Sequence, residues 1–446
     1  MTAKAAGTPS PPAAWVPTLY FQEGLPYVLV NSTAIVMFLS LGMAKDASLY
    51  WSSLLALPWA LKPLWAPVID LFGTRRRWIV VNQLLLGVAF LLSGMILASC
   101  QTFVPLLTLF FLIGISSATH DAAADGFYIV ALDDHTQAVY SGIRSTFYRL
   151  ATITGQGGLV YLAGFLIESG WSNQQGWRLT LMIAGALIVA LGLYHLRLLP
   201  RPERDRPTGN RGFAGGFAGV FASFFRSRGI VTVLLFLLLF RLAEAQLRVA
   251  VPFLLDSRAA GGLELPIKLQ GVIYGGGGVV FLLLGGIFAG LLVARHGLGR
   301  WFWPMALALN IPDLVYVYLS FAMPQNHWII GVCVCIEQFG YGFGFTGFTL
   351  FMIWFAGRFS GGQTGIYALM TGIMAVGLMV PAMYSGTLLE ALPGLLNIPA
   401  IDAYRAFFIW VMICTLPSFA VTALAARMID PAFGCKAAAA ADGEGK

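Results

Sequence analysis

Apolar stretches of roughly 20 residues, the length a helix needs to cross a bilayer, recur along nearly the whole chain with short polar or basic breaks between them. They fall at 17–42, 47–70, 78–99, 104–131, 139–167 and 177–199, then at 229–255, 271–294, 301–323, 328–356, 363–389 and 404–427. Lipid leaves only helices and closed barrels as spanning structures, and the strict apolar–polar alternation of barrel strands is absent. The pattern therefore predicts an all-α membrane protein of twelve spans. Pro58, Pro63, Pro67, Pro312 and Pro381 lie inside those stretches and are expected to tilt, break or kink their helices.

Composition agrees: the chain is 58% hydrophobic and only 11% charged, too few polar groups to cover a water-facing surface. The opening segment, with Thr8, Pro9, Pro11 and Pro12, lacks the basic-then-apolar order of a secretory leader, so the first span is expected to direct insertion. The net charge of +7 sits in short loops beside spans, where it orients a membrane protein rather than binding nucleic acid. Arg75, Arg76, Arg77, Arg295, Arg300, Arg358 and the linker arginines share one side, while Lys45, Arg258 and Lys268 occupy the other. Cytoplasmic loops carry the excess of Lys and Arg, which places both termini in the cytoplasm of a multi-pass protein of the bacterial inner membrane. Of five cysteines, Cys100, Cys333, Cys335, Cys414 and Cys435, the pair at 333 and 335 diverges on a helix and reads as core packing rather than a metal site.

An internal repeat divides the chain. Glu23 corresponds to Glu244, Gly73 to Gly297, Gly126 and Phe127 to Gly347 and Phe348, Gly142 to Gly365, and Arg178 to Arg405, in order and at nearly constant offset. Such repeats are the mark of transporters built from two halves. The division is a tail at 1–15, six helices at 16–199, a linker at 200–228, six helices at 229–428, and a tail at 429–446. The linker carries Arg201, Arg204, Arg206 and Arg211, then a Phe-rich piece, 213–225, expected to lie as an amphipathic helix on the membrane surface.

After the second span comes Asp70-Leu71-Phe72-Gly73-Thr74-Arg75-Arg76, and after the eighth a related run from Gly290 through Arg295 and Gly297 to Arg300. Each is a span end, a glycine turn and arginines. These loops resemble the signature of the major facilitator superfamily, which implies a twelve-span fold of two six-helix halves and a gating role for Asp70, Gly73, Arg75, Arg76, Arg295, Gly297 and Arg300. Ala294 replaces the signature's aspartate in the second loop.

The fourth span holds His120, Asp121 and Asp125, the two carboxylates sharing a helix face, and the fifth supplies Arg144 and Arg149. A charge inside the membrane must face a partner or a watery cavity. Asp125 and Arg144 lie at matched depth about a turn centred near His135, as do Asp121 and Arg149, so these four are expected to form an intramembrane network. His120 reads as a hydrogen-bonding core residue. In the seventh span Arg241, Glu244 and Arg248 share a face; the triad either neutralises itself or presents net positive charge to an anionic solute. Glu23 and Glu337 have no cation nearby in sequence and, with Glu244, are the candidate proton carriers. Asp313, beside Pro312, is expected to satisfy backbone groups freed by the proline. Trp51, Trp59, Trp65, Tyr128, Tyr148, Tyr274 and Tyr341 are candidate cavity aromatics, with positions facing lipid or the headgroup belt the alternative for most of them, and the run Gly275 to Gly278 suits close helix contact rather than phosphate binding.

Phe21-Gln22-Glu23-Gly24-Leu25-Pro26, Lys62-Pro63-Leu64-Trp65-Ala66-Pro67 and the Asp121/Asp125 segment resemble the peptide, acetyl-coenzyme A and drug transporter family, whose bacterial branch includes the AmpG-type muropeptide permeases. The resemblance implies a secondary transporter, proton-coupled, without a cofactor, importing an amphiphilic anionic or zwitterionic small molecule, with muropeptides the leading substrate. Acetyl-coenzyme A and siderophores are the rival solutes, and a non-transporting sensor or an intramembrane enzyme is the rival class.

Overall fold

The computed structural model describes residues 10–97, 103–202, 205, 219, 221–359, 363–431 and 433–434. Among the described residues there is no strand. Eleven helices are long and apolar enough to cross a membrane: Pro12–Ser40, Arg75–Leu97, Val104–Ala131, Gly142–Glu168, Asn173–Leu198, Ile230–Leu255, Ile267–His296, Leu298–Ala322, His327–Gly357, Gly365–Leu396 and Ala400–Ala426. The second expected span is instead two shorter helices, Lys45–Leu54 and Leu57–Leu71, parted at Leu55 and Ala56. Pro58 stands in the first turn of the second piece, where its missing N–H is no loss, so the break falls just ahead of it. With that broken span the helices make the twelve crossings of two six-helix halves, here numbered first to twelfth in chain order.

Cys100, Cys435, Arg204, Arg206, Arg211 and most of the Phe-rich linker lie outside the described residues. At its described end Phe224 is buried and meets Phe355 of the tenth span edge-to-face at 6.2 Å, while Phe225 is exposed.

Within the first half the third span packs on the fourth and sixth, and the first on the fifth; within the second the tenth packs on the eighth and ninth. The halves meet along two seams, the fifth span against the eighth and the second against the eleventh. A side chain at Gly275 would put its Cβ 2.2 Å from the backbone of Gln156 and Gly157, so only glycine permits this approach. Both helices are wound as π turns there, Ile153–Leu159 and Gly271–Gly278. Such local widening of an α-helix is frequent at functional sites.

The hydrophobic core shows which end is closed. One cluster joins both halves, with Phe38, Phe110 and Trp177 from the first and Phe253, Tyr404 and Phe408 from the second. These residues lie toward the helix ends away from the chain termini. At the terminus-bearing end each half keeps a separate core, around Trp15, Tyr20 and Phe127 in the first and around Phe236, Phe302 and Phe351 in the second. The ion pairs that cross between halves among the described residues, Lys45 with Asp256 and Lys268 with Glu168, also sit at the closed end. The molecule is sealed away from its termini and parts toward them.

Candidate functional site

In the first span Tyr20, Glu23 and Tyr27 follow one another at helical spacing on one face, and Gly24 beside them lets the fifth span approach: a Cβ there would meet Ala151 and the Tyr148 carbonyl at 3.0 Å. The fourth span presents Asp121, Asp125 and Tyr128 on one face, and the fifth presents Arg144 and Tyr148. The second piece of the broken span brings Trp59, Lys62 and Trp65 to the same place.

Arg144 Nη2 donates to Asp125 Oδ1 at 2.5 Å, and the Tyr20 hydroxyl donates to the same oxygen at 3.3 Å. The Arg144 guanidinium lies over the Tyr20 ring at 4.3 Å and near the Tyr128 ring at 5.4 Å, which holds the cation in place through its flat face. Asp121 pairs with Lys62. The Glu23 carboxyl lies within hydrogen-bonding reach of Asp121, while its Oε2 is buried without a partner among the described residues. Exposure grades across the group: Glu23 is 6% exposed, whereas the Asp125 and Arg144 side chains are 39% and 35% exposed. One end of the cluster is therefore open to water or solute and the other is enclosed. Tyr27 meets Trp59 edge-to-face at 5.1 Å and faces Tyr148 at 6.4 Å, extending the wall in aromatic surface.

Arg149 does not join this network, contrary to expectation; among the described residues it forms no ion pair. It shares the depth of Asp121 but not the phase. Five residues along a helix turn about 140° away from Arg144, whereas Tyr148, four residues on, stays on the same face. Lys62 takes the place expected of Arg149. Its signal in the sequence is that of an isolated cation within an apolar span, which demands a buried partner just as the two aspartates do.

His120 is fully buried in a chain of uncharged contacts: His120 Nε2 lies 2.9 Å from Gln83 Nε2, His195 Nδ1 3.0 Å from Gln83 Oε1, and His195 Nε2 2.9 Å from Thr18 Oγ1. These join four spans and leave His120 out of the ion-pair network.

In the second half Arg241 forms a two-pronged pair with Glu244, at 2.6 and 2.5 Å, and donates to the Tyr341 hydroxyl at 2.9 Å. Arg248 does not complete the triad. The helix tightens into a 3-10 turn at Leu247–Val249, and Arg248 crosses to the other half to donate to the Ser52 carbonyl at 3.1 Å. Glu337 Oε2 accepts from Gln338 at 3.0 Å and from Tyr316 at 3.3 Å.

The Asp70 side chain lies outside the described residues. Gly73 turns with φ +86° and Gly297 with φ +80°, both left-handed positions suited to glycine. Buried Asp205 of the linker accepts from the Arg75 and Arg76 backbone N–H groups at 2.8 and 3.1 Å, and so caps the third span. Nothing in the sequence marks it out, because it stands among arginines that offer a nearer explanation for a lone acid. The Arg76 side chain donates to the carbonyls of Leu199 and Leu196. The first loop is thus tied to its own half and to the linker. Arg295 and Arg300 lie at the terminus-bearing end, both exposed.

The profile of the Major Facilitator Superfamily matches residues 18–381. An anhydromuropeptide permease of Escherichia coli strain K12 is 23% identical over 388 residues, covering 85% of this chain and 75% of the permease. An uncharacterised protein of Haemophilus influenzae is 24% identical over 314 residues, 66% of this chain and 69% of that protein. The crystal structure of the nucleoside transporter NupG superposes with a TM-score of 0.66 at 14% identity, covering 91% of this chain and 98% of that one.

Proposed function

The chain belongs to the Major Facilitator Superfamily and is a multi-pass membrane transporter, and from that premise we propose that it imports a carboxylate-bearing amphiphile, with anhydromuropeptides the leading substrate, in symport with protons. The observation that carries this reading is the imbalance of the first-half cluster, where the three carboxyls Glu23, Asp121 and Asp125 face the two cations Lys62 and Arg144. An excess carboxyl buried against another carboxyl is accommodated by a proton, because two like charges in contact cannot both remain ionised. A proton taken up there and released when the molecule changes face would couple a proton gradient to solute movement.

Substrate class rests on two arginines. Among the described residues Arg149 and Arg248 have no carboxylate partner, and they border the aromatic wall around Tyr27, Tyr148 and Tyr341. Unpaired guanidinium groups bind carboxylates in a forked geometry, and the aromatic faces suit a sugar or peptide body. Similarity to the anhydromuropeptide permease supports the same solute. In this reading Asp70, Gly73, Arg75 and Arg76, with Arg295, Gly297 and Arg300, form the terminus-side gate, and that side is cytoplasmic in the inner membrane.

The test is uptake of labelled anhydromuropeptide into sealed proteoliposomes with and without an inward proton gradient, in parallel with a nucleoside, a siderophore and acetyl-coenzyme A. Gradient-dependent accumulation of the muropeptide alone is expected. Accumulation of another solute instead would overturn the substrate, and binding without flux would overturn transport of that solute.

A further inference from the structure

Pro312 interrupts the ninth span, which tightens into a 3-10 turn at Ile311–Asp313 between Leu298–Asn310 and Leu314–Ala322. The sequence predicts that Asp313 satisfies the backbone groups freed by that break. It does not: Asp313 is 2% exposed, and among the described residues it caps nothing and its Oδ2 has no hydrogen-bond partner. One turn along the same helix Tyr316 donates to Glu337 of the tenth span, which is 5% exposed, and Gln338 donates both to Glu337 and, at 3.3 Å, to the Tyr274 hydroxyl of the eighth. The ninth and tenth spans touch at this level, since a Cβ on Gly340 would stand 2.2 Å from the Ala308 carbonyl oxygen and 2.6 Å from the Pro312 ring.

The charged groups around the pair do not neutralise it. Glu244 of the seventh span is itself acidic and is held by Arg241; the eighth and tenth spans contribute the Tyr274 and Tyr341 hydroxyls; from the twelfth, Tyr404 is bound to Asp256, and Arg405 to Asp402 and the Ser320 carbonyl. Among the described residues no Lys, Arg or His bonds to Asp313 or Glu337. Among the described residues Asp313 has neither counter-charge nor donor and Glu337 has only the neutral donors Gln338 and Tyr316; as bare buried anions they would cost several kcal/mol, so the pair carries a proton or a metal cation. Broken helices in membrane transporters place such ions at their interruptions.

We propose that Asp313 and Glu337, with the Tyr316 and Tyr274 hydroxyls, form a monovalent-cation site in the second half, separate from the Glu23 cluster and occupied by a proton or by Na+. Its part in coupling rests on the reading of the chain as an ion-coupled transporter, but its occupancy does not. Arg248 of the seventh span lies near Tyr274 but donates to the Ser52 carbonyl rather than to either carboxyl; the two carboxyls come from adjacent helices of one half, so the site persists as the halves rock.

The experiment records infrared difference spectra of the purified full chain in lipid vesicles without any solute, titrating pH in choline chloride and again in sodium chloride. Wild type is expected to show a protonated-carboxyl C=O band of which one component is lost in Asp313→Asn, and Glu337→Gln is expected to alter the same component. Loss of that component on raising pH equally in both salts assigns the proton, and its loss at lower pH in sodium chloride assigns Na+. If both variants leave the band and its response to pH and Na+ unchanged, there is no such site. Because no substrate is present, failure here and failure of muropeptide uptake are separate results. Should Asp313→Asn fail to elute as a monodisperse species, Glu337→Gln reads the same band.

Discussion

At the scale of single residues, the two acids of the fourth span have different partners, and the difference is testable. Removing one member of a buried pair strands the other and costs about 3–5 kcal/mol, less where water reaches the pair. Lys62 and Asp121 are mostly enclosed but reached by some water, with side chains 27% and 16% exposed, so Lys62→Met is expected to lower stability by about 2–3 kcal/mol, just below that range. Arg149→Met, which breaks no ion pair, should leave stability nearly unchanged, and Lys62→Met with Asp121→Asn should recover part of the single-variant loss. Thermal unfolding of the four proteins in one detergent checks this. Equal loss from Lys62→Met and Arg149→Met would restore the partner expected from depth alone. Asp205→Ala removes the cap on the third span and is expected to cost about 0.5–2 kcal/mol, read as a lowered unfolding temperature.

At the scale of helices, the sequence displays where spans lie because twenty apolar residues have no other use in a chain this poor in charge. What it displays poorly is phase. Asp125 and Arg144 can be paired from sequence because each faces the cavity squarely, and depth suffices. Arg149 and Arg248 cannot, because five residues is not a helical repeat and because the 3-10 turn at Leu247–Val249 rotates everything beyond it. Irregular turns of this kind depend on packing against neighbouring helices, which a single chain of letters does not state. The glycines of the eighth span are legible as contact residues, but their partner, the Gln156–Gly157 backbone, is not.

Two ion pairs clasp the closed end, Lys45 with Asp256 and Lys268 with Glu168, and both are partly exposed, at 33% and 19% and at 34% and 44%. Exposed pairs contribute about 0–1 kcal/mol each, so the core shared by the two halves does most of the sealing. Lys45→Ala and Lys268→Ala are each expected to raise labelling of a cysteine placed at the closed end by no more than about fivefold. Gly275→Leu should raise it far more, since a side chain there meets backbone. Cysteine labelling in right-side-out vesicles gives the comparison, and a single lysine variant matching Gly275→Leu would contradict this ranking.

At the scale of the whole molecule, two halves joined at one end and parted at the other can expose a central site alternately to either side. The internal repeat announces the halves, and the fold shows where they touch: glycine-mediated contact at one seam and a broken span at the other. Which end is sealed is not legible in the sequence, because the same chain must close both ends in turn. The ionisable groups divide likewise. The first half holds an acid-rich cluster open on one side, and the second holds a paired Arg241 and Glu244 beside two carboxyls to which no base bonds among the described residues.

Coupling through Glu23 is the central claim, and transport by Glu23→Gln tests it most directly. Glutamine keeps the shape of the side chain and cannot carry the proton, so the proteoliposome-reconstituted variant is expected to exchange labelled for unlabelled solute at near the wild-type rate while losing uphill, proton-driven accumulation. Accumulation that survives with its normal dependence on the proton gradient would contradict the account and move the coupling site to another carboxyl.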